Sequence, residues 1–344
     1  MPAAEKEQHV PFPGADSFPK IELHLHLEGS IRPATLLQIA RRNGMRLPAR
    51  TVRGLRKLLT FRDFDHFIQV WIATTRVLRH ARDFSQITVD YAAEAATQGC
   101  VYVEGIFSPA EPVIRGVSWE EIFEGYCDGI AEARERHGVE MRLTPDITRV
   151  FDVQVGEETA RRAVRYRERG VVGVGLGGPE DPPEPFARAF AVAREGGLGS
   201  VPHAGEVAGA ASVWGALRAL KADRIRHGVR SVEDPALLEE LARRGTVLDV
   251  TPISNVRLGI VPALEEHPLP RLRAAGIACS ISTDDPGLMD TDLRQDYAAA
   301  ARLGVSAREA YEADLAGALC DEPTRQRLAA IGDAFDWDAA GSSP

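Results

Sequence analysis

Two histidines, His24 and His26, stand two residues apart in an otherwise mostly apolar run, IELHLHL. On a strand that spacing turns both side chains to one face, so two imidazoles can approach one ion. Three further runs carry reactive groups: His203-Ala204-Gly205-Glu206, Arg226-His227-Gly228 and Ser282-Thr283-Asp284-Asp285. Imidazole nitrogens and carboxylate oxygens suit a divalent ion such as zinc, and His203 and Asp284 could complete the coordination that His24 and His26 begin. A bound ion lowers the pKa of its water from about 15.7 to about 7, which supplies hydroxide at neutral pH. Glu206, three residues beyond His203, can be positioned to pass a proton in the same step. The residue types point to metal-assisted hydrolysis.

These residues come from distant parts of the chain, and the patterning around them predicts how they meet. Short β-rich runs recur at 21–27, 101–107, 140–144, 171–176, 200–203, 224–227, 246–250 and 278–282. Amphipathic stretches at 119–136, 157–169, 185–195, 210–222 and 235–244 lie between them. Eight strands alternating with helices predict an α/β chain closed into a (β/α)8 TIM-type barrel. In such a barrel the chemistry gathers at the C-terminal ends of the strands. There the candidates fall: His24 and His26 on the first strand, His203 and Glu206 on the fifth, His227 on the sixth, Asp284 and Asp285 on the eighth.

The segment 32–98 breaks this rhythm. It is too long for one crossover, carries helical patterns at 63–79 and 83–98, and reads as a helical insertion after the first strand, a wall or lid over the site. The organisation expected is a flexible leader at 1–17, one metal-dependent barrel domain at 18–336 and a flexible tail at 337–344.

The runs HLHLEGS (24–30), LGGPE (176–180), HAGE (203–206), RHG (226–228), TPISN (251–255) and STDDP (282–286) together resemble the adenosine deaminase family of the metal-dependent amidohydrolases. The resemblance extends from about residue 20 to 335. It implies that His24, His26, His203 and Asp284 are the metal ligands. Glu206 would donate a proton to purine N1, His227 would orient and activate the water, and Asp285 would contact the purine edge. Gly178 would present its backbone to purine N3. The reaction implied is deamination of a 6-aminopurine nucleoside to its 6-oxo form plus ammonia, by attack of metal-held hydroxide at C6.

Some positions depart from the family pattern. Thr251-Pro252 stands where relatives commonly carry Cys-Pro, and Leu258-Gly259 where they often carry Thr-Gly. Glu28 replaces the Asp that approaches the ribose 5′-hydroxyl in adenosine enzymes, a difference shared with relatives acting on other aminopurines. Arg149, after the third strand, and Arg257, after the seventh, could meet a carboxylate on an extended 5′ group. Relatives that deaminate aminodeoxyfutalosine in menaquinone biosynthesis act on such a substrate. An adenine or other aminopurine-base deaminase, or a mononuclear amidohydrolase with another substrate, is the alternative.

Composition narrows the rest. The chain has 344 residues, 44% hydrophobic and 26% charged, as in water-soluble globular proteins. A formal charge of −9 argues against a nucleic-acid scaffold, which usually shows a basic face. The purine nucleoside is therefore read as a small-molecule partner, with no membrane involved. Two-metal amidohydrolases typically bridge their ions with a carboxylated lysine on the fourth strand; the lysines here are Lys6, Lys20, Lys57 and Lys221, none of them there. Zinc deaminases of nucleic acids need a PCxxC run, which is lacking. Four separated cysteines suit reduced thiols in a cytoplasmic enzyme.

Overall fold

Strand β1 (Lys20–His26) alternates Ile21, Leu23 and Leu25 with Glu22, His24 and His26. Ile21 and Leu23 share a buried cluster with Tyr102, Tyr311 and Leu328, while Glu22 accepts from the Tyr91 and Thr283 hydroxyls. His24 and His26 turn toward Asp284 and His203, and the register of β1 shifts between Glu22 and Leu25. The computed structural model describes residues 18–59, 61–62 and 64–338. The expected leader at 1–17, and 339–344 of the expected tail, lie outside them.

Eight further strands follow in chain order: β2 (Cys100–Phe107), β3 (Glu140–Thr148), β4 (Gly173–Gly177), β5 (Gly199–Ser200), β6 (His203–Ala204), β7 (Arg224–His227), β8 (Val247–Val250) and β9 (Cys279–Ile281). They pair in the orders β1-β2-β3-β4-β5 and β6-β7-β8-β9, and each pairing is parallel. The expected fifth strand is thus two short pieces, interrupted at Val201 and Pro202, where proline supplies no N–H. At the other seam His26 N–H donates to the Asp284 carbonyl (2.7 Å) and Asp284 N–H to the His24 carbonyl (3.0 Å). These bonds join the end of the last strand to the first, and the fold is the expected (β/α)8 barrel.

Around the strands run α1 (Pro33–Arg42), α2 (Val52–Arg56), α3 (Phe64–Thr75), α4 (Ala81–Thr97), α5 (Ala110–Ile114), α6 (Trp119–His137), α7 (Val153–Arg165) and α8 (Ala187–Glu195). Then come α9 (Ala210–Gly215), α10 (Pro235–Arg244), α11 (Pro252–Arg257), α12 (Leu269–Ala274), α13 (Leu293–Arg302), α14 (Ala307–Gly317) and α15 (Glu322–Ala334). Helix α4 packs on α6 and β2 as an ordinary barrel helix. The remainder of the insertion lies elsewhere. Phe67 of α3 packs with Leu258, Leu288 and Met289, so α3 reaches the loops after β8 and β9. Among the described residues no helix is long and apolar enough to cross a membrane.

The barrel interior beneath the site is charged. Arg224 donates to Asp249 (2.7 Å) and Glu104 (2.8 Å), and Arg226 to Asp146 and to Thr144 (2.7 Å). These side chains are fully or almost fully buried, so each charge needs its partner. Gly175 makes room for one of these pairs: a β-carbon there would lie 2.0 Å from Asp146 Oδ1 and 2.2 Å from Arg226 Nη1. The paired charges form a fixed floor under the histidines.

Candidate active site

Four side chains converge above that floor. His26 Nε2 lies 3.1 Å from His203 Nε2, and Asp284 Oδ1 lies 3.4 Å from Nε2 of both His24 and His26. Ligands about 2.0–2.1 Å from a tetrahedral ion stand roughly 3.3 Å apart, so these separations fit one ion. Both ring nitrogens of His24 are buried without a hydrogen-bond partner, as expected of a group meant for a ligand. Burial holds the pKa of His26 down to about 3 and those of His24 and His203 well below the ordinary value. Neutral imidazoles keep the lone pairs that a metal requires. The residues fit a divalent metal.

Each of these groups is oriented by others. His203 Nδ1 faces the Leu176 carbonyl (3.2 Å) and Asp146 Oδ2 (3.4 Å), which turns Nε2 into the site. Ser254 donates to Asp284 Oδ2 at 2.7 Å. Asp284 and His227 are two of the few non-glycine residues with left-handed backbone, at φ 67° and 63°. Such conformations cost of order 1–3 kcal/mol each and persist where the surroundings enforce them, as functional sites do.

Glu206 follows His203 on a tightly anchored turn. The Glu180 carboxylate accepts N–H bonds from Gly205 (2.8 Å), Glu206 (2.7 Å) and Val207 (2.9 Å), and a hydroxyl bond from Ser212 (2.8 Å). Burial, then the charges of Asp284 and Glu180, raise the Glu206 pKa well above the usual carboxylate range. Asp285 is raised likewise, by burial and then Asp284. Burial is the larger cause in both, and it favours the protonated carboxyl.

His227 Nε2 lies 3.5 Å from Glu206 Oε2 and 4.0 Å from Asp284 Oδ2. A chain of hydrogen bonds fixes its tautomer. Leu269 N–H donates to Nδ1 of buried His267 (3.1 Å), leaving the His267 proton on Nε2, which faces Asn255 Oδ1 (3.2 Å). The Asn255 amide then faces His227 Nδ1 (3.4 Å) as a donor, with the Thr251 hydroxyl also 3.2 Å from that nitrogen. With Nδ1 accepting, the His227 proton sits on Nε2 and points at the site.

The cavity above these groups measures about 320 Å³. Asp285, Glu206 and Gly178 line its inner end, while Phe64, Phe67, Ile68 and Trp71 of α3 form an apolar wall with Phe151. Gly178, at φ +87°, bends the chain just after β4 in a conformation that a side chain would strain. The insertion is therefore a wall of the site, as expected.

Three expected contacts need correction. Arg149 is buried, and its guanidinium donates to the carbonyls of His203 (2.7 Å), Leu176 (3.2 Å) and Gly178 (3.5 Å), so it braces strand ends rather than lining the cavity. Arg257 lies on the last turn of α11 and donates to the Met289 carbonyl. Glu28 is only 5% exposed and does not line the cavity; its Oε1 accepts from Ser108 N–H (2.9 Å) and its Oε2 is buried without a hydrogen-bond partner. Asp146, Glu180, Ser254 and Asn255 are supporting residues that sequence reasoning gave no role. For Asp146 a signal existed: Thr144, Asp146 and Thr148 continue the period-two pattern past Pro145.

A parallel barrel with three histidines and an aspartate at one end, an acid and a fourth histidine beside them, defines a metal-dependent barrel hydrolase of the amidohydrolase kind. The chain belongs to the adenosine deaminase family, whose model matches residues 19–331. It is 52% identical over 331 residues to the aminodeoxyfutalosine deaminase of Acidothermus cellulolyticus, covering 94% of this chain and 93% of that one. Among solved structures, adenine deaminase from Arthrobacter aurescens superposes with a TM-score of 0.87 at 29% identity, covering 92% of this chain and 98% of that one. A zinc-bound amidohydrolase from Burkholderia ambifaria gives a TM-score of 0.88 at 25% identity, covering 99% and 97%.

Proposed function

We propose that the chain hydrolyses the exocyclic amino group of a 6-aminopurine nucleoside with an enlarged 5′ substituent, of the aminodeoxyfutalosine type. One observation carries this reading: buried, protonatable Glu206 stands beside the His24, His26, His203 and Asp284 cluster at the inner end of a cavity with a largely apolar outer wall. The 52% identity to a protein of that named activity supports it. The four ligands would hold one divalent ion, and their three nitrogens and one oxygen suit zinc, the metal present in the Burkholderia relative. Such an ion, when bound, brings the pKa of water near 7 and so supplies a nucleophile at neutral pH.

The chain's own residues do the rest. Asp285 would donate from its protonated carboxyl to purine N7, and the Gly178 backbone would face N3. Glu206 would give its proton to N1 as oxygen bonds to C6, removing the aromatic resistance to attack. His227 would hold the attacking oxygen through its Nε2 proton. Over the cycle one water provides two protons: one remains on N1 by way of Glu206, and the other leaves with the amine as ammonia. The apolar part of the 5′ extension would lie along Phe64, Phe67 and Trp71, where each Å² removed from water contributes roughly 25 cal/mol. Cys100, Cys127, Cys279 and Cys320 are free thiols, which suits work in the cytoplasm.

The test is kcat/KM for aminodeoxyfutalosine, adenosine and adenine under one set of conditions. Aminodeoxyfutalosine is expected to lead adenosine by at least about tenfold, a difference of roughly 1.4 kcal/mol or about 55 Å² of apolar contact. Adenosine ahead by tenfold would remove the extended-substrate reading. Deamination of the free base is a second reading, favoured by the likeness to the Arthrobacter adenine deaminase, and adenine in front would select it.

A further inference from the structure

We propose that Glu111, held by Arg115, is the carboxylate that binds the sugar hydroxyls of the substrate; this rests on the nucleoside reading above. The carboxylates on the cavity wall are Glu111, Asp146, Glu206, Asp284 and Asp285. Asp284 belongs to the metal cluster, and Glu206 and Asp285 face the purine. Asp146 is bound by Arg226 and faces His203. Glu111 alone among these has no part in the purine or metal chemistry. Glu28, the acid that sequence position suggests for the sugar, does not line the cavity; its Oε1 is on Ser108 N–H and its Oε2 is buried without a partner.

The position of Glu111 fits a sugar. With C6 over the cluster, N1 at Glu206 after β6, N7 at Asp285 after β9 and N3 at Gly178 after β4, the purine presents N9 on the edge opposite C6 and N1. The sugar then points away from β6, toward the ends of β1, β2 and β3. Ser108 and Glu111 stand there, after β2, and both line the cavity. Glu111 also differs from a solvated helical ion pair. Its side chain is 18% exposed and that of its partner Arg115, one turn on, is 22% exposed. Burial and the nearby Arg79 and Arg76 lower the Arg115 pKa, and Glu28 raises it, the balance being about 10, so the guanidinium stays charged at neutral pH. Glu111 Oε2 is buried without a hydrogen-bond partner beside the Arg115 guanidinium, and such a carboxylate is a strong acceptor for hydroxyl groups.

The proposal is tested with aminodeoxyfutalosine and adenosine, each measured against its 2′,3′-dideoxy counterpart, in the wild type and in Glu111→Gln. A hydrogen bond to a charged acceptor predicts that the wild type favours the ribonucleoside by about ten- to a hundredfold in kcat/KM. In Glu111→Gln the two members of each pair should converge to within about threefold, with the loss falling mainly on KM. Arg115→Met, which keeps the carboxylate but frees it, should raise KM for the ribonucleoside with kcat little changed. A melting temperature near that of the wild type shows that each variant is folded, and Glu111→Ala replaces Glu111→Gln if that variant is not. Unchanged discrimination in the folded Glu111 variant overturns the assignment of Glu111 and leaves the nucleoside reading standing. A wild type that releases ammonia from neither nucleoside overturns both.

Discussion

Stripping the divalent ion from the protein is expected to cost at least about 10⁴-fold in ammonia release, and zinc at one equivalent per chain is expected to restore it. The size of the effect follows from the nucleophile: without an ion, water at neutral pH keeps a pKa near 15.7 instead of about 7. The structure supplies few substitutes, because the histidines around the site are held neutral by burial. His24→Ala tests the same point from the protein side. His24 is fully buried with both ring nitrogens unpartnered, so its loss removes a ligand that no neighbour replaces. Elemental analysis should find well under one ion per chain in that variant and one in the wild type. Two ions per chain, or full activity in metal-free protein, would contradict this assignment.

Glu206→Gln is expected to keep the ion and lose about 10²–10⁴-fold in kcat. The substitution preserves shape, and the anchor of the turn is untouched because Glu180 binds the backbone of residues 205–207 rather than the Glu206 side chain. What disappears is the proton: an amide cannot deliver one to N1. Metal content measured beside the rate separates this effect from damage to the cluster. A variant with its ion in place and a rate within about threefold of wild type would show that another group protonates the ring.

The part of this site legible in the sequence was the part carried by strand ends. Histidines in apolar runs have little reason to be there except as ligands or core groups, and His24, His26, His203 and His227 sit at the ends of β1, β6 and β7. Asp284 and Asp285 follow β9 in the same way. Side-chain direction was not legible. Arg149 follows β3 as expected, yet its guanidinium turns back to three carbonyls, a competition among backbone acceptors that chain order does not encode. Pro145 hid Asp146, because a proline usually ends a strand, whereas the β3–β4 ladder continues beyond it with Asp146 opposite Gly175. Glu111 was hidden for another reason. On a five-residue helix it resembles any solvated acid, and only the closure of α3 over the cavity distinguishes it.

The most direct test of the account is the product formed from aminodeoxyfutalosine in ¹⁸O-labelled water. Hydrolytic deamination at C6 predicts one ammonia per product, an ultraviolet shift from a 6-amino to a 6-oxo purine, and one ¹⁸O atom on the purine with the glycosidic bond intact. Release of free adenine, or a product without ammonia or without label on the ring, would contradict it.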